Sequence, residues 1–194
     1  MSDHWGSPSY ILEPIKGFLG GIGLDPANND HSITHPEISW YGPPGIDALT
    51  MDWRETVLNN CKNKTIFFNP PYSKPKGSGK GNLYKFTQKA KEAVDPRIEI
   101  IALLKYDPST NWWRENILLS ASAVCKLYRR VRHISPPGEK NITPNFPSCL
   151  VYWGERVSGF CAEFSVKLGS CEDLSKTWVG GEVLGYPFGR LPAN

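Results

Sequence analysis

Residues 64–72 read Lys64-Thr65-Ile66-Phe67-Phe68-Asn69-Pro70-Pro71-Tyr72. The first five form an apolar, β-prone run. The next four stop it at once, because proline has no N–H for a sheet ladder and pushes the residue before it out of the helical region. A buried strand therefore delivers an asparagine to the edge of a sheet. Residues 97–104 make a second, strongly apolar strand. An amphipathic helix over 83–94 separates the two, with Leu83, Phe86, Ala90 and Val94 along one face. Strands alternating with helices predict an α/β fold on a parallel sheet covered on both faces.

The pattern extends in both directions. Upstream, residues 9–19 predict a short helix weakened by Pro14 and Gly17. Residues 21–24 predict a buried strand ending at Asp25-Pro26, 38–41 a strand within a polar stretch, and 50–60 a short helix. Downstream, 111–120 reads as a helix and 123–128 as a strand that 130–134 continues. Residues 149–153 and 160–168 read as further strands. The last strands follow one another without helices, which predicts an antiparallel hairpin at one sheet edge. Glycine (18) and proline (17) cluster at turns rather than in a linker, so 1–194 reads as one domain, with 154–194 a C-terminal extension.

Composition narrows the class. With 194 residues, 40% hydrophobic and 21% charged, the chain can fill a core. No run approaches the ~18 apolar residues of a membrane helix, and Met1-Ser2-Asp3-His4 is not a signal peptide, so a soluble intracellular protein without membrane contact is expected. The net charge of +3 permits a polyanionic partner without demanding one. Cys61, Cys125, Cys149, Cys161 and Cys171 are odd in number and lack paired spacing, which argues against a disulfide framework or zinc site. Buried, reduced thiols are expected. His31 and His35 lie four apart without a second ligand pair, so no metal is expected. Sequons at Asn63 and Asn141 are chance matches in such a chain.

An open α/β sheet binds ligands beyond the carboxyl ends of its strands, where Asp25 and Asn69 both fall. Pro70 and Pro71 stiffen the turn and remove two donors. The Pro70 carbonyl and the Asn69 amide oxygen then form a pair of acceptors, which matches an exocyclic amine with its two N–H groups. An amine so held turns its lone pair out of the ring toward an electrophile, while Tyr72 offers a flat face for stacking. The bland alternative is a proline turn that caps a strand. The apolar run before it, the aromatic after it and the upstream Asp25 favour the chemical reading.

Asn69-Pro70-Pro71-Tyr72 resembles the signature of amino-group methyltransferases that use S-adenosylmethionine. The order of elements over about 5–153 resembles the phage-type, Dam-like DNA N-6-adenine methyltransferases. Trp5-Gly6-Ser7-Pro8 stands where that family has Trp-x-Thr-Pro. Leu24-Asp25-Pro26-Ala27 matches its Leu-Asp-Pro, and Asp47-Ala48-Leu49-Thr50-Met51-Asp52-Trp53 resembles its Asp-Gly-Leu-x-x-Asp-Trp. Phe146-Pro147-Ser148 resembles its Phe-Pro-Ser block. Departures are Ser7 for threonine, Ala48 for glycine, an inserted loop over 74–82, no glycine before Arg130, and no Gly-x-Gly after Pro26.

The resemblance implies a Rossmann-like class I methyltransferase sheet, mostly parallel with an antiparallel C-terminal hairpin. It implies that Asn69, Pro70, Pro71 and Tyr72 are catalytic. Ser7 and Pro8 would line the methionine end of S-adenosylmethionine, Asp25 with Pro26 would hold its amino group, and Asp47 would accept from its adenine amine. Glu37 is the candidate for the ribose. The implied reaction is methylation of the adenine N6 amine in duplex DNA, the base flipped out of the stack and held on Tyr72. A phage origin would place it in the host bacterial cytoplasm. RNA, a protein glutamine amide, or nucleic-acid binding without turnover remain the competing readings.

Two basic clusters are candidate nucleic-acid contacts. Lys74, Lys76 and Lys80 lie in a glycine-rich loop beside the motif, where backbone can approach phosphate. It is not a P-loop, since Gly81 stands where Ser or Thr is needed. Arg129, Arg130, Arg132 and His133 form the second cluster, and strand alternation puts Arg130 and Arg132 on one face. The alternatives are a solvated loop and a charged edge that blocks aggregation. Trp53, Trp112 and Trp113 read as packing residues, and Tyr106-Asp107-Pro108 falls near the site without a role. No separate recognition domain is legible, so loops 73–82 and 135–147 would carry any sequence preference.

Overall fold

The computed structural model describes residues 5–30, 32–40, 45–73, 80–136, 138, 144–175, 178–179 and 182–183. Helix α1 (Ser9–Leu19) forms despite Pro14 because Ile11, Leu12, Ile15 and Leu19 make one buried stripe. It ends at Gly20, whose φ of 74° suits a residue without Cβ. Strands β1 (Leu24–Asp25) and β2 (Ile38–Ser39) follow, then a 3-10 turn (Ala48–Thr50) and helix α2 (Trp53–Asn60). The Asp52 carboxylate caps α2 by accepting from the Glu55 N–H. Strand β3 (Thr65–Phe68), helix α3 (Asn82–Glu92), strand β4 (Glu99–Lys105), a π-helical stretch (Trp113–Leu118) and strands β5 (Ala123–Leu127) and β6 (Ser148–Trp153) come next. Helix α4 (Val157–Lys167) and strand β7 (Gly169–Asp173) complete the main body, and β8 (Trp178–Val179) pairs with β9 (Glu182–Val183) in a separate ribbon.

The seven-stranded sheet has the order β2-β1-β3-β4-β6-β5-β7. Pairings from β2 to β4 are parallel. Those of β6 with β4 and β5, and of β7 with β5, are antiparallel. Strands β1 to β5 thus point one way, and β6 and β7 the other.

Alternate residues of each strand feed two cores. Ile66, Phe68, Ile100, Ala102, Leu104, Val151 and Trp153 pack toward α2, α3 and the π-helical stretch, with Trp53, Phe86 and Trp113. Phe67, Ile101, Leu103, Leu150 and Tyr152 pack toward α1 and α4, with Ile11, Ile15, Phe160 and Phe164. Trp53, Trp112 and Trp113 are all buried, as packing residues should be. The five thiols are free, with Cys61, Cys125 and Cys149 buried. No helix of the described residues is long and apolar enough to cross a membrane.

Four expectations are corrected. Residues 160–168 belong to helix α4 and its end, not to a strand. Apolar residues there satisfy both periods, but Val166 is 86% exposed while Phe164 is buried. Two residues along a strand share a face, whereas two along a helix are turned apart. Consecutive β5 and β6 do pair antiparallel, but this hairpin is not at the sheet edge, because β6 inserts between β4 and β5 and β7 lies outermost. Residues 130–134 do not continue β5, whose last rung is the Tyr128 N–H on the Leu168 carbonyl at 3.1 Å; Ile134 bridges Gly6 instead. Val94 is exposed, since α3 ends at Glu92 and Ala93 takes the buried place.

Candidate active site

Parallel β1 and β3 bring Asp25 and Asn69 to the same rim. A small cleft of about 10 Å³ opens there, and both side chains line it, together with Ser7, Thr34 and Phe67. The two strands approach closely because Gly23 has no side chain. The Gly23 N–H donates to Thr65 Oγ1 at 2.9 Å.

Asp25 is 3% exposed. Its Oδ1 accepts from the Ala27 N–H at 3.0 Å and its Oδ2 from the Thr34 hydroxyl at 2.9 Å. Burial dominates over these two hydrogen bonds and pushes its carboxyl up to about 7. A cation beside it would restore an ordinary carboxylate. Ser7 is buried on the cleft wall, and Pro8 caps the start of α1. Pro26 is buried in the turn after Asp25.

Asn69 is fixed on both ends of its amide. Its Oδ1 accepts from the Tyr72 hydroxyl at 3.1 Å, which also lies 3.2 Å from the Leu103 carbonyl. Its Nδ2 donates to the Trp5 carbonyl at 3.4 Å and lies 3.5 Å from His133 Nδ1. Burial raises the Tyr72 phenol far above its ordinary range, so it stays a donor. The Tyr72 ring meets Phe146 edge-on, with centroids 5.3 Å apart, and His133 at 6.5 Å.

His133 is 5% exposed, and burial pushes its imidazole down to about 4. It belongs beside Asn69, not with the outward cations. The same alternation that turns Arg130 and Arg132 outward turns Val131 and His133 inward, and that was the signal in the sequence. The Trp5 carbonyl and Thr34 were not legible, because a backbone group and a hydroxyl in a polar loop leave no pattern. The N-terminal segment reaches the site through paired hydrogen bonds between Gly6 and Ile134, at 2.9 and 2.8 Å.

The model of the family described as DNA N-6-adenine-methyltransferase (Dam) matches residues 1–167. The chain belongs to this Dam family. A curated relative, the DNA N-6-adenine-methyltransferase of Escherichia phage T1, is 27% identical over 115 residues, 59% of this chain. The chain spans 41% of that relative's length. No solved structure matches.

Other expected positions of this Dam family member fall outside the cleft lining. Asp47 is exposed, and its Oδ1 accepts from the Leu49 N–H at 3.0 Å. Glu37 is removed from the ribose role. It precedes β2 rather than following it, and its carboxylate accepts from the Lys62 and Asn63 N–H groups at 2.7 and 2.8 Å. That places it at the amino ends of the strands, away from the cleft. These hydrogen bonds hold its carboxyl below the ordinary range. Lys80 is exposed and lies 3.7 Å over the Tyr84 ring. Lys74 and Lys76 lie outside the described residues. Arg130 and Arg132 are exposed on the segment that carries His133. Tyr106 donates its N–H to the Pro147 carbonyl at 2.9 Å and so anchors the start of β6.

Proposed function

We propose that this chain transfers a methyl group from S-adenosylmethionine to the N6 amine of adenine in DNA. The observation that carries the reading is the convergence of Asp25 and Asn69 on one cleft. A buried carboxyl without a cationic partner suits an amino-acid ammonium, and an oriented amide oxygen beside a proline turn suits an amine. S-adenosylmethionine supplies a methyl group on a sulfonium when bound. Ser7, Pro8 and Pro26 would wall its methionine end, Asp25 would hold the ammonium, and Asp47 would serve the adenine end.

The adenine amine is a poor nucleophile because its lone pair is delocalised into the ring. Asn69 Oδ1 and the Pro70 carbonyl accept its two N–H groups and draw the nitrogen toward tetrahedral geometry. Pro71 keeps the turn rigid. S-adenosylmethionine held by Asp25 would give up its sulfonium methyl group to the nitrogen that Asn69 and Pro70 hold, and the extra proton would leave that nitrogen afterwards. Positioning supplies most of the rate. The base must leave the duplex to enter, with Tyr72 beside its face. Lys74, Lys76, Lys80, Arg130 and Arg132 would contact the strand backbone.

The order β2-β1-β3-β4-β6-β5-β7 fits a Rossmann-like class I methyltransferase sheet, and we read 1–194 as one domain. The phage origin of the relative supports action in a bacterial host's cytoplasm. The test is incubation with S-adenosylmethionine and unmethylated duplex DNA, followed by digestion to nucleosides and mass spectrometry for N6-methyladenine. Product that disappears with Asn69→Ala is expected. Cofactor binding without a methylated base would reject DNA as the substrate.

A further inference from the structure

Seven arginines fall among the described residues, and four are engaged. Arg97 pairs with Asp95 at 2.9 Å and Arg156 with Glu99. Arg54 donates to the Glu92 carbonyl and Arg114 to Asn111 Oδ1. The other three, Arg129, Arg130 and Arg132, are exposed, and their guanidinium groups meet no acceptor among the described residues. Beside them Tyr128 is 72% exposed, more than any other aromatic side chain described. Charge and aromatic surface are thus left unspent on one short segment.

That segment has a definite path. β5 runs in the same direction as β3, so Tyr128 emerges on the rim that holds Asn69. Three strand steps separate β3 from β5, roughly 14 Å at ~4.8 Å per step. From Tyr128 the chain returns across this distance to His133, beside Asn69. Val131 and His133 face inward, and Arg130 and Arg132 outward. The Arg132 N–H donates to the Tyr10 hydroxyl at 3.1 Å, which pins the segment to α1. Edge protection does not account for these charges, because β5 lies inside the sheet with β7 beyond it.

We propose that segment 128–133 is a track for a locally opened stretch of the target strand, with an unpaired base stacked on Tyr128 and phosphates on Arg129, Arg130 and Arg132. Guanidinium forks match phosphate oxygens, and a tyrosine face stacks any base. The track leads from the stacking residue directly to the catalytic amide. It rests on the reading of the site as a DNA methyltransferase and adds where the strand lies beyond the reacting base.

The test is fluorescence anisotropy with a labelled single-stranded 16-mer and its paired duplex across a salt series. Tyr128→Ala should weaken single-strand binding about tenfold with an unchanged salt slope. Arg129→Gln/Arg130→Gln/Arg132→Gln should reduce the slope of log K against log salt by about 2, at ~0.7 per phosphate. Both variants should melt at the wild-type temperature, since the altered side chains are exposed. Wild-type single-strand affinity in either variant overturns the proposal, as does a loss confined to the duplex. Binding is read without turnover, so an absence of methylated adenine would count against the proposed reaction and leave the track standing.

Discussion

His133 Nδ1 lies 3.5 Å from the Asn69 amide nitrogen, joining residues 64 apart in sequence. The Trp5 carbonyl accepts from the same nitrogen at 3.4 Å, and His133 Nδ1 is a second acceptor in the tautomer that carries its proton on Nε2, an atom buried without a partner among the described residues. Only Nδ2 fits beside these two acceptors, which leaves Oδ1 for the Tyr72 hydroxyl and for an incoming amine. A protonated imidazole would set a donor against a donor. Burial prevents this by keeping the ring neutral down to about pH 4.

His133→Phe keeps a ring and removes the acceptor. A fall of about tenfold in kcat, ~1.4 kcal/mol, with an unchanged KM for the cofactor, is expected from steady-state rates. His133→Gln, which retains an acceptor, should recover part of the loss. Stability carries a matching signature. The unfolded imidazole takes its proton near pH ~6.5 and the folded one near about 4. The folded state therefore loses stability as pH falls through that window. Thermal melts of His133→Phe should show a shallower decline there than wild type.

Asp25 predicts cofactor binding that depends on pH. Its carboxyl is pushed up to about 7 in the free protein, and an ammonium requires the carboxylate. Affinity for S-adenosylmethionine should rise about tenfold per pH unit up to pH ~7, the slope of one linked proton, and fall again above the ordinary α-amino pKa of ~7.7–8.0, where the ligand loses its ammonium. Calorimetry in buffers of different ionisation enthalpy should show proton release near pH 6 and proton uptake above pH 8. Asp25→Asn should remove the rise along with most of the affinity. On stability the sign is reversed relative to His133. The unfolded carboxyl ionises first, so this group's contribution falls as pH rises from about 4 toward 7.

Gly23→Ala should destabilise the fold. A Cβ at this position would sit 2.1 Å from the Asn63 carbonyl oxygen, which is backbone and cannot swing aside. A cost of about 1–3 kcal/mol is typical of overpacking and would appear as a lowered melting temperature. Because the clash parts β1 from the turn before β3, kcat should fall as well, with Asp25 and Asn69 displaced from each other.

Charge reversal at Lys74, Lys76 and Lys80 should weaken duplex binding and flatten its salt dependence. Lys80 alone should contribute least, since its ammonium already lies over Tyr84. An unchanged salt slope in the triple variant would remove this loop from the interface.

The part of the fold written in local pattern was legible. The stripe of α1, the apolar runs of β3 and β4 and the proline stop after Phe68 each follow from a few neighbouring residues, and they were enough to put Asp25 and Asn69 on one rim. What failed depended on partners distant in sequence. Nothing local in residues 148–153 says that they enter between β4 and β5. Residues 160–168 carry apolar groups at both spacings, and only the packing of Phe160 and Phe164 against Phe18 and Tyr152 selects the helix. His133 was grouped with its arginine neighbours because charge is conspicuous in a sequence, whereas the inward side of an irregular segment is not.

The place of β6 has a consequence during synthesis. β4 lies in the middle of the finished sheet and carries five fully buried residues, Ile100 to Leu104. Its neighbour on one side is not translated until residue 148. At ~5–20 residues per second, the ribosome leaves an apolar strand edge exposed for roughly 2–9 seconds. Nascent chains should be most prone to aggregate, and most in need of a chaperone, within that interval.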